Sequence, residues 1–205
     1  MQSKIQNLKP KTMCDVVIAG AGPAGASAAI HLARGGARVL LLEQKRFPRH
    51  KLCGEFISPE CLEHFARLGV AEEMTAAGGA ALRETVFYGR GGRGVRVPSE
   101  WFGARAGAAL GLSRAEMDER LLQRARAVGV EVWEEATATG LLRESDGRVM
   151  GVKARTAAGE REITARVTLD ATGRGRVLAR RAEGKIAPQR APLVAFKAHL
   201  QGAAQ

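Results

Sequence analysis

Three glycines near the start of the chain have the spacing of a phosphate-binding turn. Gly20, Gly22 and Gly25 follow an apolar run in the order G-x-G-x-x-G, with Pro23 and Ala24 between the last two. The first glycine permits a tight turn, the second lets the backbone approach a pyrophosphate, and the third allows the following helix to pack closely. The start of that helix also presents N–H groups and a partial positive charge to an anion. The spacing therefore predicts a dinucleotide site.

The elements on both sides of the turn agree with this prediction. Residues 16–19 are apolar and β-prone, residues 24–34 are rich in alanine, and residues 39–42 form a second apolar run. The pattern predicts a strand, a helix that ends at Gly35 and Gly36, and a second strand.

An acid, Glu43, stands directly after the second apolar run, 18 residues beyond Gly25. In nucleotide-binding βαβ units an acid at about this distance accepts hydrogen bonds from a ribose hydroxyl. We therefore expect Glu43, with its neighbour Gln44, on the ribose side of the site, where its charge disfavours a 2′-phosphate. The alternatives are a glycine-rich turn without a nucleotide and an acid that is merely exposed at a strand end.

Composition bounds the class of protein. The chain has 205 residues, of which 45% are hydrophobic, and a formal net charge of +11. This hydrophobic content allows a sizeable core and disfavours disorder. The arginines are scattered, without a basic arm or interleaved aromatic residues, so a solvated basic surface is favoured over nucleic-acid binding. Such a surface also suits an anionic dinucleotide.

Cysteine, histidine and apolar patterns indicate a cytoplasmic protein without a metal site. The three cysteines form no C-x-x-C pair, which favours a reducing compartment over a disulfide framework. The four histidines are not at metal-ligand spacings. Residues 1–12 lack the apolar core of a secretory signal, and no uninterrupted apolar run is long enough to span a membrane. Peripheral contact with a membrane stays open.

The rest of the chain alternates between helical and strand patterns. Residues 46–55 form a charged loop, and Asp170-Ala171-Thr172-Gly173 follows the last strand. Together the patterns predict an α/β fold, a Rossmann-like parallel sheet with an inserted three-stranded antiparallel β-meander. The further predicted elements are helices from Ser58-Pro59 to about Leu68, from Ser113 to Gly129 and from about Arg176, and strands at 83–88, 94–97, 130–133, 138–144, 148–156 and 160–169.

This combination resembles the N-terminal part of the FAD-dependent oxidoreductases that include geranylgeranyl reductases, aromatic-ring monooxygenases and flavin halogenases. The similarity is greatest to the geranylgeranyl-reductase-like branch, and residues 47–55 are its most specific part. The residues that carry the resemblance are the glycine-rich turn, Glu43, the segment 47–55, Arg114 with Asp118, and Asp170 to Gly173.

The resemblance implies FAD as the cofactor and NAD(P)H as its electron donor. It implies that Glu43 binds the adenosine ribose and that Arg49 lies in a loop over the dinucleotide, where a guanidinium suits a pyrophosphate. It also implies that Cys53 and Gly54 run near the isoalloxazine. The local alternatives are a solvated loop arginine at position 49 and a small buried hydrophobe at Cys53, and no catalytic residue is assigned.

Two further cofactor contacts follow from the resemblance. Arg114, just after a helix start, matches an arginine that reaches the cofactor in related proteins, although a solvent-facing position in the first helical turn is an equal alternative. The turn from Asp170 to Gly173 matches an element that approaches the FAD phosphates or the nicotinamide donor, and glycine there permits backbone approach.

The resemblance also divides the chain into a leader at residues 1–12, an FAD-binding domain at 13–190 and the start of a substrate domain at 191–205. Residues 193–200 alternate like a strand, and no Gly-Asp motif follows residue 173. We therefore expect a truncated chain whose flavin site lacks one wall.

The expected function is a geranylgeranyl reductase-like oxidoreductase that takes a hydride from NAD(P)H and passes electrons to a C=C bond or to oxygen, with an apolar small-molecule substrate. An FAD-dependent monooxygenase or halogenase is the first alternative. A non-catalytic nucleotide-binding module and an NAD-binding dehydrogenase are the others. Substrate identity and oligomeric state stay open at this stage.

Overall fold

The computed structural model describes residues 11–53, 55–102 and 108–184. These residues form two compact units. The first unit contains residues 11–47 and 118–184, and the second contains residues 48–53, 55–102 and 108–117. The dinucleotide motif and the turn at residues 170–173 both belong to the first unit.

Eleven strands and five α-helices are assigned in the described residues. In chain order they are β1 (Lys11–Ala19), α1 (Pro23–Arg34), β2 (Val39–Leu42), β3 (Phe56–Ile57), α2 (Pro59–Leu68), α3 (Ala71–Thr75), β4 (Ala80–Leu82), β5 (Glu84–Tyr88), β6 (Gly94–Pro98), β7 (Ala109–Gly111), α4 (Arg114–Ala127), β8 (Glu131–Trp133), β9 (Thr137–Arg143), β10 (Val149–Thr156), β11 (Gly159–Asp170) and α5 (Val177–Glu183).

The first unit is built on a six-stranded sheet with the order β8-β2-β1-β11-β10-β9. Strands β8, β2, β1 and β11 are parallel, whereas β10 pairs antiparallel with both β11 and β9. Strand β11 is therefore both a member of the parallel sheet and the last strand of the meander. This arrangement confirms the predicted fold class.

The central strands of the first unit have continuous apolar sequences because they lie in its core. Strands of a parallel sheet are buried on both faces. In β2 all four residues are buried, and Val17 and Ile18 of β1 are fully buried. Leu178 of α5 packs with Val17, Leu40 and Ile163 in one cluster, so this helix covers the meander side of the sheet.

The two hairpins of the meander turn where the sequence predicts them. Gly147 and Gly159 have φ values of +87° and +98°, a region that favours glycine. The carboxylate of Asp146 accepts a hydrogen bond from the Arg148 N–H at 2.9 Å, which closes the first turn. The helix start at Ser113 is also confirmed, because its hydroxyl accepts from the Glu116 N–H at 3.1 Å.

The second unit contains a three-stranded antiparallel sheet, β3-β7-β4, and a separate β5–β6 hairpin. The hairpin strands agree with the predicted ones. Strands β3, β4 and β7 and helix α3 are absent from the sequence prediction because each has only two to five residues, too few to show a period. Helix α2 has the predicted bounds, with Ser58 as its N-cap residue and Pro59 in its first turn. The Ser58 hydroxyl makes no capping hydrogen bond to the backbone and contacts Cys61 Sγ at 3.5 Å.

The predicted domain limits lie near the ends of the described residues. Strand β1 begins at Lys11, two residues before the predicted start of the FAD-binding domain. The strand expected at residues 193–200 and the proposed boundary at 190 lie outside the described residues and stay predictions. Within the described part of the chain, no helix is both long and apolar enough to cross a membrane.

Candidate dinucleotide-binding site

The glycine-rich turn connects β1 to α1, and two of its glycines are required by packing. Gly20 has a φ of +103°, and a side chain there would place its Cβ 2.4 Å from the carbonyl oxygen of Ala171. A Cβ on Gly25 would lie 1.8 Å from the carbonyl oxygen of Gly20. These contacts show the tight turn at Gly20 and the close helix approach at Gly25 that the motif predicts.

Gly22 differs from its two neighbours in the motif. It is the N-cap of α1 and has a φ of −70° and a ψ of −177°, an extended conformation that any residue can adopt. Backbone strain therefore does not explain a glycine at this position. The absence of a side chain there fits the predicted approach of a pyrophosphate to the backbone, which stays a prediction.

The first turn of α1 supplies donors for an anion. Pro23 occupies the first helical position, and the first hydrogen bond of the helix runs from the Ala26 N–H to the Gly22 carbonyl at 2.9 Å. The N–H groups of Ala24 and Gly25 consequently have no acceptor within the helix. They lie at the positive end of the helix dipole, an environment that favours phosphate.

Glu43 lies beside this turn and is almost completely buried, with 4% of its surface exposed. Its Oε2 accepts a hydrogen bond from the Ala21 N–H at 3.1 Å, and its Oε1 accepts from the Lys45 N–H at 3.0 Å. An ionised carboxylate only accepts hydrogen bonds, which is the chemistry that a ribose hydroxyl requires of its partner. The chain thus positions Glu43 through its own amides, a role that the spacing alone does not show. Gln44, the next residue, is exposed.

Backbone hydrogen bonds fix where β2 ends. The Glu43 N–H donates to the Trp133 carbonyl, and the Ala136 N–H donates to the Glu43 carbonyl, both at 2.9 Å. The Gly20 N–H donates to the Leu42 carbonyl at 2.7 Å. The end of β2 is therefore hydrogen-bonded on one side to the glycine-rich turn and on the other to the last residue of β8 and to Ala136.

The turn after β11 closes the other side of the glycine-rich turn. The Ala171 N–H donates to the Ala19 carbonyl at 2.8 Å, and the Ala171 carbonyl lies where a side chain on Gly20 would project. The structure thus brings Gly173 and its neighbours to the same edge of the sheet as the dinucleotide motif. Gly173 has a φ of +74°, and a Cβ there would meet nothing within 4 Å.

Asp170 has a structural task within this turn. Its Oδ1 accepts from the Thr172 hydroxyl at 2.6 Å and the Thr172 N–H at 3.0 Å. Its Oδ2 accepts from the N–H groups of Leu178 and Ala179 at 2.9 and 2.8 Å. Burial raises the pKa of Asp170, but these hydrogen bonds outweigh burial and bring the pKa below the ordinary value. The predicted cofactor contact of this residue stays a prediction.

Thr172 and Ala171 belong to the predicted turn, but the sequence analysis gave neither residue a role of its own. The Thr172 hydroxyl donates to Asp170 and accepts from the Val177 N–H at 2.9 Å, so it links the turn to the start of α5. The signal in the sequence is Asp170, because an aspartate often accepts from the N–H two residues further on, as it does here from Thr172. The contribution of Ala171 is a backbone carbonyl, which has no sequence signal.

The remaining predicted cofactor residues belong to the second unit. Arg49, Cys53 and Arg114 are each half-buried, and Arg114 is the first residue of α4, as expected. Gly54 lies outside the described residues. The cofactor contacts proposed for these four residues stay predictions.

Comparison with known families decides the class of the nucleotide. Residues 13–192 match the family model described as an FAD-binding domain. The chain belongs to this FAD-binding family. The match extends across both the glycine-rich turn and the turn after β11, which agrees with their joint position at one edge of the sheet.

The FAD-binding chain is similar to curated reductases. Menaquinone reductase of Mycolicibacterium smegmatis is 34% identical over 143 residues, which cover 69% of this chain and 34% of the relative. Digeranylgeranylglycerophospholipid reductase 2 of Methanopyrus kandleri is 35% identical over 160 residues, which cover 78% of this chain and 37% of the relative. The chain therefore spans about a third of the length of these relatives.

Solved structures extend the similarity to halogenases. The myxobacterial chondrochloren halogenase, an FAD-dependent enzyme, superimposes with a TM-score of 0.71 and 33% sequence identity, covering 78% of this chain and 37% of that one. Relatives of both kinds confirm the resemblance to the FAD-dependent oxidoreductases. An NAD-binding dehydrogenase is correspondingly disfavoured.

Proposed function

We propose that the protein is a flavin-dependent oxidoreductase and that the first unit of this chain holds the adenosine and pyrophosphate part of its FAD. The observation that carries this proposal is the Glu43 carboxylate, buried and bonded to the Ala21 N–H of the glycine-rich turn. This contact supports the proposal, because a carboxylate can accept from a ribose diol and the amides of the adjacent helix start can donate to a diphosphate. The membership in the FAD-binding family supports it.

The donor and acceptor groups fit the two ends of this part of FAD. The N–H groups of Ala24 and Gly25 would bind the pyrophosphate, because they lack helical acceptors. Glu43 would accept hydrogen bonds from the ribose hydroxyls through its carboxylate, which the N–H groups of Ala21 and Lys45 hold beside the turn. When bound, FAD supplies two-electron transfer, accepting a hydride from NAD(P)H and passing it with a proton to a carbon–carbon double bond, or to oxygen.

For the whole protein we propose the reduction of a double bond in an apolar, isoprenoid-bearing small molecule, with NAD(P)H as the electron donor. The similarity to a menaquinone reductase and to a digeranylgeranylglycerophospholipid reductase supports this choice. We further propose a cytoplasmic protein that binds no nucleic acid, and peripheral contact with a membrane stays open. We assign no residue as a catalytic acid or base, because the flavin carries the electron transfer and the chain's residues bind and orient it.

An FAD-dependent halogenase or monooxygenase is the second candidate. The observation that favours it is the 33% identity to the chondrochloren halogenase over most of this chain. The two candidates differ in the electron acceptor: the reductase saturates a double bond without oxygen, whereas the halogenase and monooxygenase consume oxygen.

The first experiment measures FAD uptake by the purified chain. The chain is mixed with FAD, excess FAD is removed, and the visible absorbance and flavin-to-protein ratio are recorded for the wild type, Gly22→Val and Gly91→Ala. Gly91 is exposed, and a Cβ there would meet nothing within 4 Å, so its variant is the matched control. We expect uptake by the wild type and the control and none by Gly22→Val.

Loss of flavin absorbance on adding NADH or NADPH under nitrogen then tests the electron donor. Reoxidation by a menaquinone or a geranylgeranyl lipid under nitrogen supports the reductase. Reoxidation only by oxygen, with halogenation or hydroxylation of an added aromatic compound, supports the second candidate. A folded wild-type chain that takes up no FAD contradicts the proposed binding function.

A further inference from the structure

Glu134, just after β8, connects two parts of the first unit that are far apart in sequence. Its Oε1 accepts a hydrogen bond from the Phe47 N–H at 2.6 Å, across 87 residues of chain. Its Oε2 accepts from the guanidinium of Arg126, in α4, at 2.7 Å. The side chain of Glu134 is only 22% exposed, so both contacts are partly shielded from water. We name these three groups the Glu134 bridge.

The Glu134 bridge holds the far end of the segment that begins at Glu43. The near end of this segment is held by Glu43 itself, whose Oε1 accepts from the Lys45 N–H at 3.0 Å. Gln44, Lys45 and Arg46, the three residues between Glu43 and Phe47, are exposed. Carboxylates thus accept hydrogen bonds near both ends of the short segment 43–47. We expect the backbone of so short a segment to change its conformation when one of these two hydrogen bonds is removed.

The bridge also meets the end of β2 through the backbone. Trp133, the residue before Glu134, accepts from the Glu43 N–H, and Ala136, two residues after it, donates to the Glu43 carbonyl. Glu134 therefore stands within the stretch that fixes the backbone of Glu43 on one side. Glu134 is thus connected to Glu43 in two ways, through the Phe47 N–H and through the backbone of this stretch.

We propose that Glu134 is a positioning residue for the ribose end of the nucleotide site, acting through residues 43–47. This inference rests on the proposed FAD-binding function. It assigns Glu134 no contact with the cofactor. Because the segment adjoins Glu43, loss of the bridge weakens the binding of ligands that contain the adenosine diphosphate group, whether or not they carry a flavin.

Arg126 has a separate part in the bridge. A second carboxylate near Glu43 adds negative charge beside a site for a diphosphate, and the guanidinium offsets that charge. The ion pair also keeps the Glu134 side chain in the orientation that accepts from Phe47. Replacing Arg126 leaves the Glu134 carboxylate as an acceptor for the Phe47 N–H. The carboxylate is then no longer held in one orientation, and its negative charge is no longer offset.

The experiment measures dissociation constants of FAD and of ADP by titration calorimetry for the wild type and four variants. Glu134→Ala removes both contacts, Glu134→Gln keeps an oxygen acceptor for the Phe47 N–H, and Arg126→Gln removes the ion pair. The control is Glu144→Ala, which removes a carboxylate that accepts from Arg148 at 2.6 Å in the meander hairpin. Circular dichroism shows that each variant is folded at the temperature of the titration.

We expect Glu134→Ala to raise the dissociation constants of both FAD and ADP about five- to tenfold. This is less than the full effect of losing a hydrogen bond to a charged group, because Glu134 acts on the ligand only through residues 43–47. Glu134→Gln raises them less, about two- to fivefold, because the Phe47 contact is kept although the ion pair with Arg126 is lost. Arg126→Gln raises them about two- to fivefold, and less at high salt. Glu144→Ala leaves both constants unchanged.

A merely structural role would lower the melting temperature of Glu134→Ala without changing the affinities of the folded protein. Unchanged FAD and ADP affinities in folded Glu134→Ala therefore overturn the inference and leave the binding function standing. If that variant does not fold, unchanged affinities in Arg126→Gln overturn it instead. A wild-type chain that binds neither ligand overturns both the inference and the proposed function.

Discussion

Gly25 offers a sharp test of how closely α1 must approach β1. A Cβ on Gly25 would lie 1.8 Å from the Gly20 carbonyl oxygen and 3.1 Å from the Ala171 Cβ. Both neighbours are backbone or attached directly to it, so neither can move aside as a flexible side chain would. The Gly25→Ala substitution must therefore move the first turn of α1 away from the sheet.

The size of the effect follows from two opposing contributions. Overpacking of a well-packed site costs about 1–3 kcal/mol, and rigid neighbours favour the upper end of that range. Alanine in place of glycine within a helix returns about 0.5–1 kcal/mol. The free energy of unfolding should thus fall by about 2 kcal/mol, which lowers the melting temperature by about 4–8 °C in a chain of this size.

Thermal melting and FAD titration of Gly25→Ala test this reasoning together. The affinity for FAD should fall as well, because the N–H groups of Ala24 and residue 25 move with the helix start. Gly91→Ala is again the control, since its Cβ has open space, and it should neither lower the melting temperature nor change the affinity. A Gly25→Ala chain that melts with the wild type and binds FAD equally well would refute the close packing described here.

Three further predictions concern the same edge of the sheet. Gly22→Val should abolish FAD binding while the melting temperature changes little, because the extended backbone at this position accepts a branched residue; retained flavin in this variant would disprove the role of Gly22. Glu43→Ala should weaken FAD binding by about 1–3 kcal/mol, the scale of a charge-assisted hydrogen bond, and equal affinity by titration calorimetry would count against the ribose acid. The lowered pKa of Asp170 stabilises the fold above the ordinary carboxyl pKa of about 3.9, and this stability is lost as pH falls through the lower folded value. Urea unfolding of Asp170→Asn at several pH values should therefore show a less stable protein near neutrality and a smaller loss on acidification than the wild type; parallel pH profiles would contradict the network around Asp170.

The sequence was sufficient for features whose cause is local. The glycine-rich turn, Glu43 and the hairpin glycines are recognisable because each conformation is decided by a residue and its immediate neighbours. The long apolar runs of β1 and β2 likewise indicate buried parallel strands. These local signals were enough to predict the fold class and to bring the glycine-rich turn, Glu43 and residues 170–173 to one edge of the sheet.

Features that depend on distant pairing could not be predicted in this way. The contact between Glu134 and the Phe47 N–H joins residues 87 apart, and an acid in a polar stretch carries no mark of its partner. Asp170 accepts hydrogen bonds from the N–H groups of Leu178 and Ala179, and these contacts depend on where α5 begins relative to the turn. Strands β3, β4 and β7 exist because their partners supply hydrogen bonds, and their two or three residues have no pattern of their own.

Strand β11 belongs both to the parallel sheet and to the meander, and this has a consequence for folding during synthesis. Its residues pair with β1 although 150 residues separate Cys14 from Thr164. A nascent chain therefore exposes the nucleotide motif long before the ribosome has synthesised the strand that flanks it and the Ala171 backbone that encloses Gly20. We therefore expect the chain to bind its cofactor only when the sheet is complete. Emergence of the glycine-rich motif alone should not be sufficient for binding.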